Sequence, residues 1–223
     1  MIERKQVGVL LAWLLLSGAC RDTGKEKQIP VPSKLPFYNQ ADFTPEWIVP
    51  NSKDWAATHT IPAFSFTDQY GETVTEKTVQ GKIYVADFFF TACPGICKQL
   101  TSHLLQVQQA FRNDPGVLLL SHSVTPDIDN SARLKQYAAE YGIIRGKWYL
   151  LTGNRDTLYT LARKAYFADE DLGTKKTAND FLHTENMLLI DRQRRIRGVY
   201  KGTSQADINN LIADIKELEN EKE

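Results

Sequence analysis

The stretch from Ile83 to Phe90 reads Ile-Tyr-Val-Ala-Asp-Phe-Phe-Phe and passes directly into Thr-Ala-Cys-Pro-Gly-Ile-Cys. Such a run of aromatic and β-branched residues is the pattern of a buried strand, and Pro94 suits the first turn of a following helix. A buried strand must be covered, and the surrounding pattern supplies the cover. Ile61–Thr67 and Thr73–Val79 around Gln69-Tyr70-Gly71 predict a hairpin ahead of it. After strand 83–90 come helix 95–112, strand 117–124, helix 130–142, strand 148–152 and helix 155–166. A long polar stretch, Ala168–Asp180, leads to strands 186–191 and 195–201 and a last helix, 205–219. Strands alternating with helices and closing on a late hairpin predict an α/β fold: a mixed central sheet flanked by helices on both faces, with an N-terminal β-hairpin extension.

Cys93 and Cys97 lie at the junction between the central strand and its helix. Unpaired N–H groups and the helix dipole at that end favour thiolate over thiol, which improves both nucleophiles and soft-metal ligands. Four residues advance about 6 Å along a helix, roughly one turn, so both sulfurs can share a face. Three uses fit that geometry: a structural disulfide, a redox pair, or a site for one metal ion. A bridge across four residues closes a loop too short to stabilise much. The spacing is also wider than the Cys-x-x-Cys of thioredoxin-type redox pairs and leaves more room for a metal.

Phe88–Cys97, then Ser123-Val124-Thr125-Pro126-Asp127-Ile128-Asp129, Trp148-Tyr149-Leu150-Leu151-Thr152-Gly153, and His183 ahead of Met187-Leu188-Leu189-Ile190-Asp191 together resemble the Sco/SenC family. The resemblance extends from about His59 to the C-terminus and keeps the family's motif order. It implies a thioredoxin-like fold and copper held by Cys93, Cys97 and His183. It also implies a metallochaperone role in assembling the copper A centre of cytochrome c oxidase. The implied partners are oxidase subunit II, a thiol reductant and an upstream copper donor. Lys98 stands where many members have proline, and Thr125-Pro126 replaces the usual Asp-Pro. Two thiolates and an imidazole suit Cu(I), while Cu(II) wants a further nitrogen or oxygen ligand. Structural zinc normally has four protein ligands.

The alternative is a thiol–disulfide reductase acting on the oxidase's copper-site cysteines, with Cys93 and Cys97 as the catalytic pair. Thioredoxin-type oxidoreductases carry a cis-proline before a late strand, and no proline follows Pro126 here. A peroxidase of peroxiredoxin type lacks its Pro-x-x-x-Thr-x-x-Cys signature, because Thr91 stands two places before Cys93. Asp87, six residues before Cys93, matches the offset of the buried acid of thioredoxins. It is a candidate neighbour of the site behind the cysteines, either accepting a thiol proton or making a structural hydrogen bond. Asp129 reads as a helix cap beside Asn130. Among the other histidines, His103 reads as a solvated helix residue and His59 as part of the loop leading into the first strand. His122 lies in a strand that ends near the site.

Arg4 and Lys5 precede the apolar run Val7–Leu16, which is short for a membrane span, and Ser17-Gly18-Ala19 leads to Cys20. This resembles a bacterial lipoprotein signal, residues 1–19, with lipid on Cys20. An uncleaved anchor over Val7–Ala19 is the alternative. Either reading puts the remainder outside the cytoplasmic membrane, in the cell envelope. Residues 20–35 form a charged, proline-bearing tether, and 36–58 an irregular segment whose Phe37, Tyr38, Phe43 and Trp47 pack on the domain at 59–223. Lys and Arg number 27 against 27 Asp and Glu, a balance that gives nucleic acid no handle.

Overall fold

A computed structural model describes residues 33–168, 182 and 184–221. In chain order the elements are β1 (Phe37–Tyr38), β2 (Pro45–Glu46), α1 (Lys53–Ala56), β3 (Ser65–Thr67) and β4 (Thr73–Thr75). They continue with β5 (Ile83–Phe89), α2 (Cys97–Ala110), β6 (Val117–Ser123), α3 (Ser131–Tyr141) and β7 (Trp148–Leu151). The remainder are α4 (Arg155–Lys164), β8 (Asn186–Ile190), β9 (Ile196–Lys201) and α5 (Gln205–Asn220).

The main sheet has the order β7-β6-β5-β8-β9, with β5, β6 and β7 mutually parallel, β8 antiparallel to β5, and β9 antiparallel to β8. The central strand β5 is buried along its whole length, as its apolar sequence requires. Successive side chains leave a strand on opposite faces, and β5 follows that rule. Ile83, Val85 and Phe89 pack with Leu100, Leu104 and Val107 of α2, Leu134 and Tyr137 of α3, and Ile208, Leu211 and Ile215 of α5. Tyr84, Ala86 and Phe88 pack on the other side, with Leu158, Leu161 and Ala162 of α4 and Phe66 and Val74 of the β3–β4 hairpin. Asn130, Asn154 and Ser204 each accept a backbone N–H at the start of α3, α4 and α5. Gly142 ends α3 at φ 69°, a conformation that glycine adopts without steric cost.

The hairpin is shorter than its sequence pattern. Only 65–67 and 73–75 pair, because the first arm is diverted to make separate contacts, as in the bond from Ile61 N–H to Arg194 O. The hairpin shields the free edge of β7. The buried side chain of Gln69 donates to Trp148 O at 2.9 Å and accepts from Leu150 N–H at 2.8 Å, so its amide completes a ladder that would otherwise be open. At the other edge Arg197, 2% exposed, donates to the carbonyls of Leu35 and Pro36. Its guanidinium lies 4.0 Å from the centre of the buried Phe37 ring, and Arg195 covers Trp55 at 3.9 Å. Phe37 and Trp55 thereby seat the segment before residue 59 on the sheet. Trp47 is not part of that packing; it is 58% exposed.

Candidate metal centre

Cys93 and Cys97 are both free thiols at the C-terminal end of β5. The helix starts later than the sequence suggests. Its first residue is Cys97, and Cys93 lies ahead of it in the 90–96 turn, with its N–H on Phe90 O. Ile96, the N-cap, offers no side-chain acceptor to the first turn. The backbone groups of Cys97 and Gly95 near the Cys93 sulfur favour its ionised form.

This arrangement makes the two thiols unequal. Burial resists ionisation of Cys93, but the Cys97 thiol and the two backbone N–H groups outweigh it and hold Cys93 below the ordinary thiol range. Burial pushes Cys97 up to about 12, reinforced by its hydrogen bond to Cys93 and by the charges of Cys93 and Asp87. Of the two, Cys93 is therefore the thiol that ionises first.

The sulfurs open on a pocket of about 240 Å³ walled by Phe88, Phe90, Ile96, Val124, Leu182 and Thr184. Position 183 lies outside the described residues, and so does Cys20. The residues on either side of His183 nevertheless line the wall of the thiol pocket. Among the described residues no three His, Cys, Asp or Glu side chains converge on one point.

Asp87 is buried and shares the Cys97 face of β5. The Ser121 hydroxyl donates to it, and Trp148 Nε1 donates to Ser121 Oγ at 2.8 Å. Burial pushes the carboxyl up to about 7 against the Ser121 hydrogen bond. It acts on the thiols through space, raising Cys97 by its charge, and its hydrogen bond goes to Ser121. Thr101 ties the helix start to α3 by donating to Cys97 O at 2.8 Å and pairing with Tyr137 Oη at 2.7 Å.

Three sequence readings change. Asp129 is no helix cap, since Asn130 caps α3. Asp129 is fully buried and accepts from Thr91 N–H, Thr91 Oγ1, Ser123 Oγ and Thr125 Oγ1. His103 is not solvated. It is 8% exposed, and its ring bonds Gly202 O at 2.6 Å, a partner 99 residues away that no local pattern reveals. His122 is buried on the face opposite Asp87, stacked on Phe88 at 5.2 Å with Phe66 and Tyr166 around it. Burial pushes it down to about 4, partly offset by backbone groups of Asp87 and Leu120. Phe88 separates it from the pocket. His59 bonds Ala165 O at 2.8 Å and packs on Phe167.

Comparison with known proteins gives one family. The SCO1/SenC family model matches residues 52–220. A SCO1/SenC family lipoprotein of Bacillus anthracis has a similar structure, with a TM-score of 0.63 and 28% identity, covering 72% of this chain and 95% of its own. BsSco, described as a member of the Sco family of cytochrome c oxidase assembly proteins with a disulfide switch, gives 0.61 and 26%, covering 74% and 95%. Arabidopsis thaliana ScoI, solved with copper bound, gives 0.55 and 25%, covering 72% and 98%. These relatives carry the thioredoxin-like fold.

Proposed function

The chain belongs to the SCO1/SenC family, and from that premise we propose that it is a copper metallochaperone. It takes up one copper ion through Cys93, Cys97 and His183 and delivers it to subunit II for the copper A centre of cytochrome c oxidase. The observation that carries this reading is the pair of free thiols on a pocket whose wall includes both neighbours of His183. The donor set suits a soft ion. Copper is the cargo, and the chain's own part is to present Cys93 as thiolate, release the Cys97 proton on loading, and shield the ion behind Phe88, Phe90 and Val124.

Lipid on Cys20 holds the domain to a membrane of the bacterial envelope, facing away from the cytoplasm. A lipoprotein of the same family supports this by analogy. Thiols in such a compartment drift toward disulfide, which cannot ligate copper. A thiol reductant therefore gates loading from the upstream donor.

The reductase reading keeps one observation in its favour. A low Cys93 beside a high Cys97 is also what an attacking thiolate and its resolving partner require, with Asp87 near 7 as proton acceptor. Anaerobic copper titration of the reduced domain decides between them. One copper per chain, with a sulfur-to-copper charge-transfer band, is the expected result. Absence of stoichiometric binding alongside rapid reduction of an oxidase-derived disulfide makes the reductase primary.

A further inference from the structure

The extended arm that leads into β3 has an open edge. Thr67 exchanges two backbone bonds with Thr152, N–H to O at 2.9 Å in each direction, so its peptide groups point away from β4. Hydrogen-bonding sides alternate along an antiparallel strand, and Ser65, two places earlier and opposite Thr75, turns its groups the same way as Thr67. Burial alternates along the arm as well: Phe64 and Phe66 are buried, while Ala63 and Ser65 are exposed. Among the described residues the outward N–H and C=O groups of Ala63 and Ser65 make no hydrogen bond.

This edge borders a groove of about 610 Å³ whose other wall is α4. Phe64, Phe66, Leu161 and Ala165 give it apolar surface. His59 bonds Ala165 O at one end, and Thr67 bonds Thr152 just ahead of α4 at the other, so arm and helix run antiparallel along it. Asp156 and Lys164 stand on the helix wall toward the two ends, both exposed and neither in an ion pair among the described residues. Eight residues of helix separate them by about 12 Å.

We propose that this groove binds an extended segment of a partner polypeptide, which adds to the Ala63–Ser65 edge as a strand. A row of backbone donors and acceptors is matched by another backbone, and the Thr67–Thr152 bridge is the first rung of that ladder. An antiparallel strand, the pairing that Thr152 already makes, runs from the Ser65 end to the His59 end. Charge complementarity then places a basic residue first, by Asp156, and an acidic one later, by Lys164. Four steps of an extended chain span about 13 Å and put both charges on one face, leaving the residues between them to alternate toward the apolar floor. The segment is therefore basic, apolar, unrestricted, apolar, acidic. Phe66, His122 and Phe88, in ring contact one to the next, stand between this groove and the thiol pocket, so its occupant does not compete with the metal.

The probe is the peptide acetyl-Lys-Val-Thr-Val-Glu-amide, titrated into the full chain and read by nuclear magnetic resonance at the amides of Ala63 and Ser65. Saturable shifts at both, with slowed hydrogen exchange, are the expected result. N-methylation of the peptide's threonine, whose N–H faces the arm, abolishes them. Ser65→Pro removes an edge donor that β4 does not use, so it abolishes binding with the circular dichroism unchanged. Lys164→Glu weakens binding about threefold, the scale of an exposed ion pair. Asp156→Lys combined with Lys164→Glu prefers the reversed peptide, acetyl-Glu-Val-Thr-Val-Lys-amide. Equal binding of the N-methylated peptide overturns the strand pairing, and no saturable shift overturns the groove as a peptide site. Protection of both amides in the free monomer means that the chain covers its own edge. Protection that rises with protein concentration, together with a dimer in sedimentation, means that a second copy does. Either result overturns the partner segment.

Discussion

Asp129 holds Thr91 twice, accepting its N–H at 3.2 Å and its hydroxyl at 2.5 Å. Thr91 stands two residues before Cys93, so a buried carboxylate at the end of the β6 loop fixes the approach to the thiol turn. Ser123 and Thr125 donate to the same carboxylate, and Arg133 Nε reaches Thr91 Oγ1 at 3.0 Å.

Asp129→Ala leaves four donors without their acceptor in a buried place. A stability loss of about 3 kcal/mol is expected by urea unfolding, with a smaller loss for Asp129→Asn, which keeps one acceptor oxygen. In both variants the alkylation rate of Cys93 changes, because its turn loses its tie to the β6 loop. Reduced stability with unchanged Cys93 reactivity would limit Asp129 to a fold role.

The unequal thiols predict an order of reaction. At pH 8 iodoacetamide modifies Cys93 more than about tenfold faster than Cys97, read by mass spectrometry after short pulses. In Cys93→Ser a neutral hydroxyl replaces the thiolate charge that helps raise Cys97, and it can donate to the Cys97 sulfur, so Cys97 ionises at lower pH than in wild type. Burial still holds it above an ordinary thiol. Either serine variant folds and loses stable copper, while wild-type loading releases the Cys97 proton and tightens as pH rises. Tight stoichiometric copper in both variants would remove these thiols from the site.

The main sheet is legible in the sequence because its strands and helices carry strong periodicity over many residues. Phe37–Tyr38 and Pro45–Glu46 pair as two-residue strands, too short to carry any period, and so read as irregular chain. The start of α2 reads early because Pro94 suits a first turn. Proline fits the turn before a helix as well, and the helix begins only at Cys97. His103 is misread because its partner, Gly202, lies far off in sequence, and Asp129 because it joins distant Thr91 to nearby Ser123 and Thr125. His183 stands out only through the family resemblance, since a lone histidine after a polar stretch carries no pattern of its own.

Cys20 gives a prediction independent of the metal. Expressed in a bacterium, the full chain fractionates with membranes and its N-terminal peptide shows the mass increment of lipid on Cys20. Cys20→Ala stays unlipidated. An intact N-terminus with unmodified Cys20 would replace the lipoprotein reading with an uncleaved anchor over Val7–Ala19.

Asp87 and His122 lie on opposite faces of the sheet and link stability to pH in opposite directions. Burial raises Asp87 to about 7, so the folded chain keeps a proton that the unfolded chain gives up near pH 4. Its contribution is full below that pH and is lost as pH rises through 7, a fall of about 4 kcal/mol. Burial lowers His122 to about 4, so the folded ring stays neutral where the unfolded ring charges. Its contribution is full above about pH 6.5 and is lost as pH falls through 4, about 3 kcal/mol. Between pH 4 and 6.5 the two nearly cancel in wild type. Asp87→Asn exposes the histidine slope, so its stability relative to wild type rises with pH across that window. His122→Phe exposes the carboxyl slope, and its relative stability falls with pH. Urea unfolding of the three proteins at pH 4, 5, 6 and 7 measures both slopes. Parallel curves would mean that neither group keeps its shifted ionisation in the folded chain, and Asp87 would then be an ordinary carboxylate with no proton to exchange with the thiols.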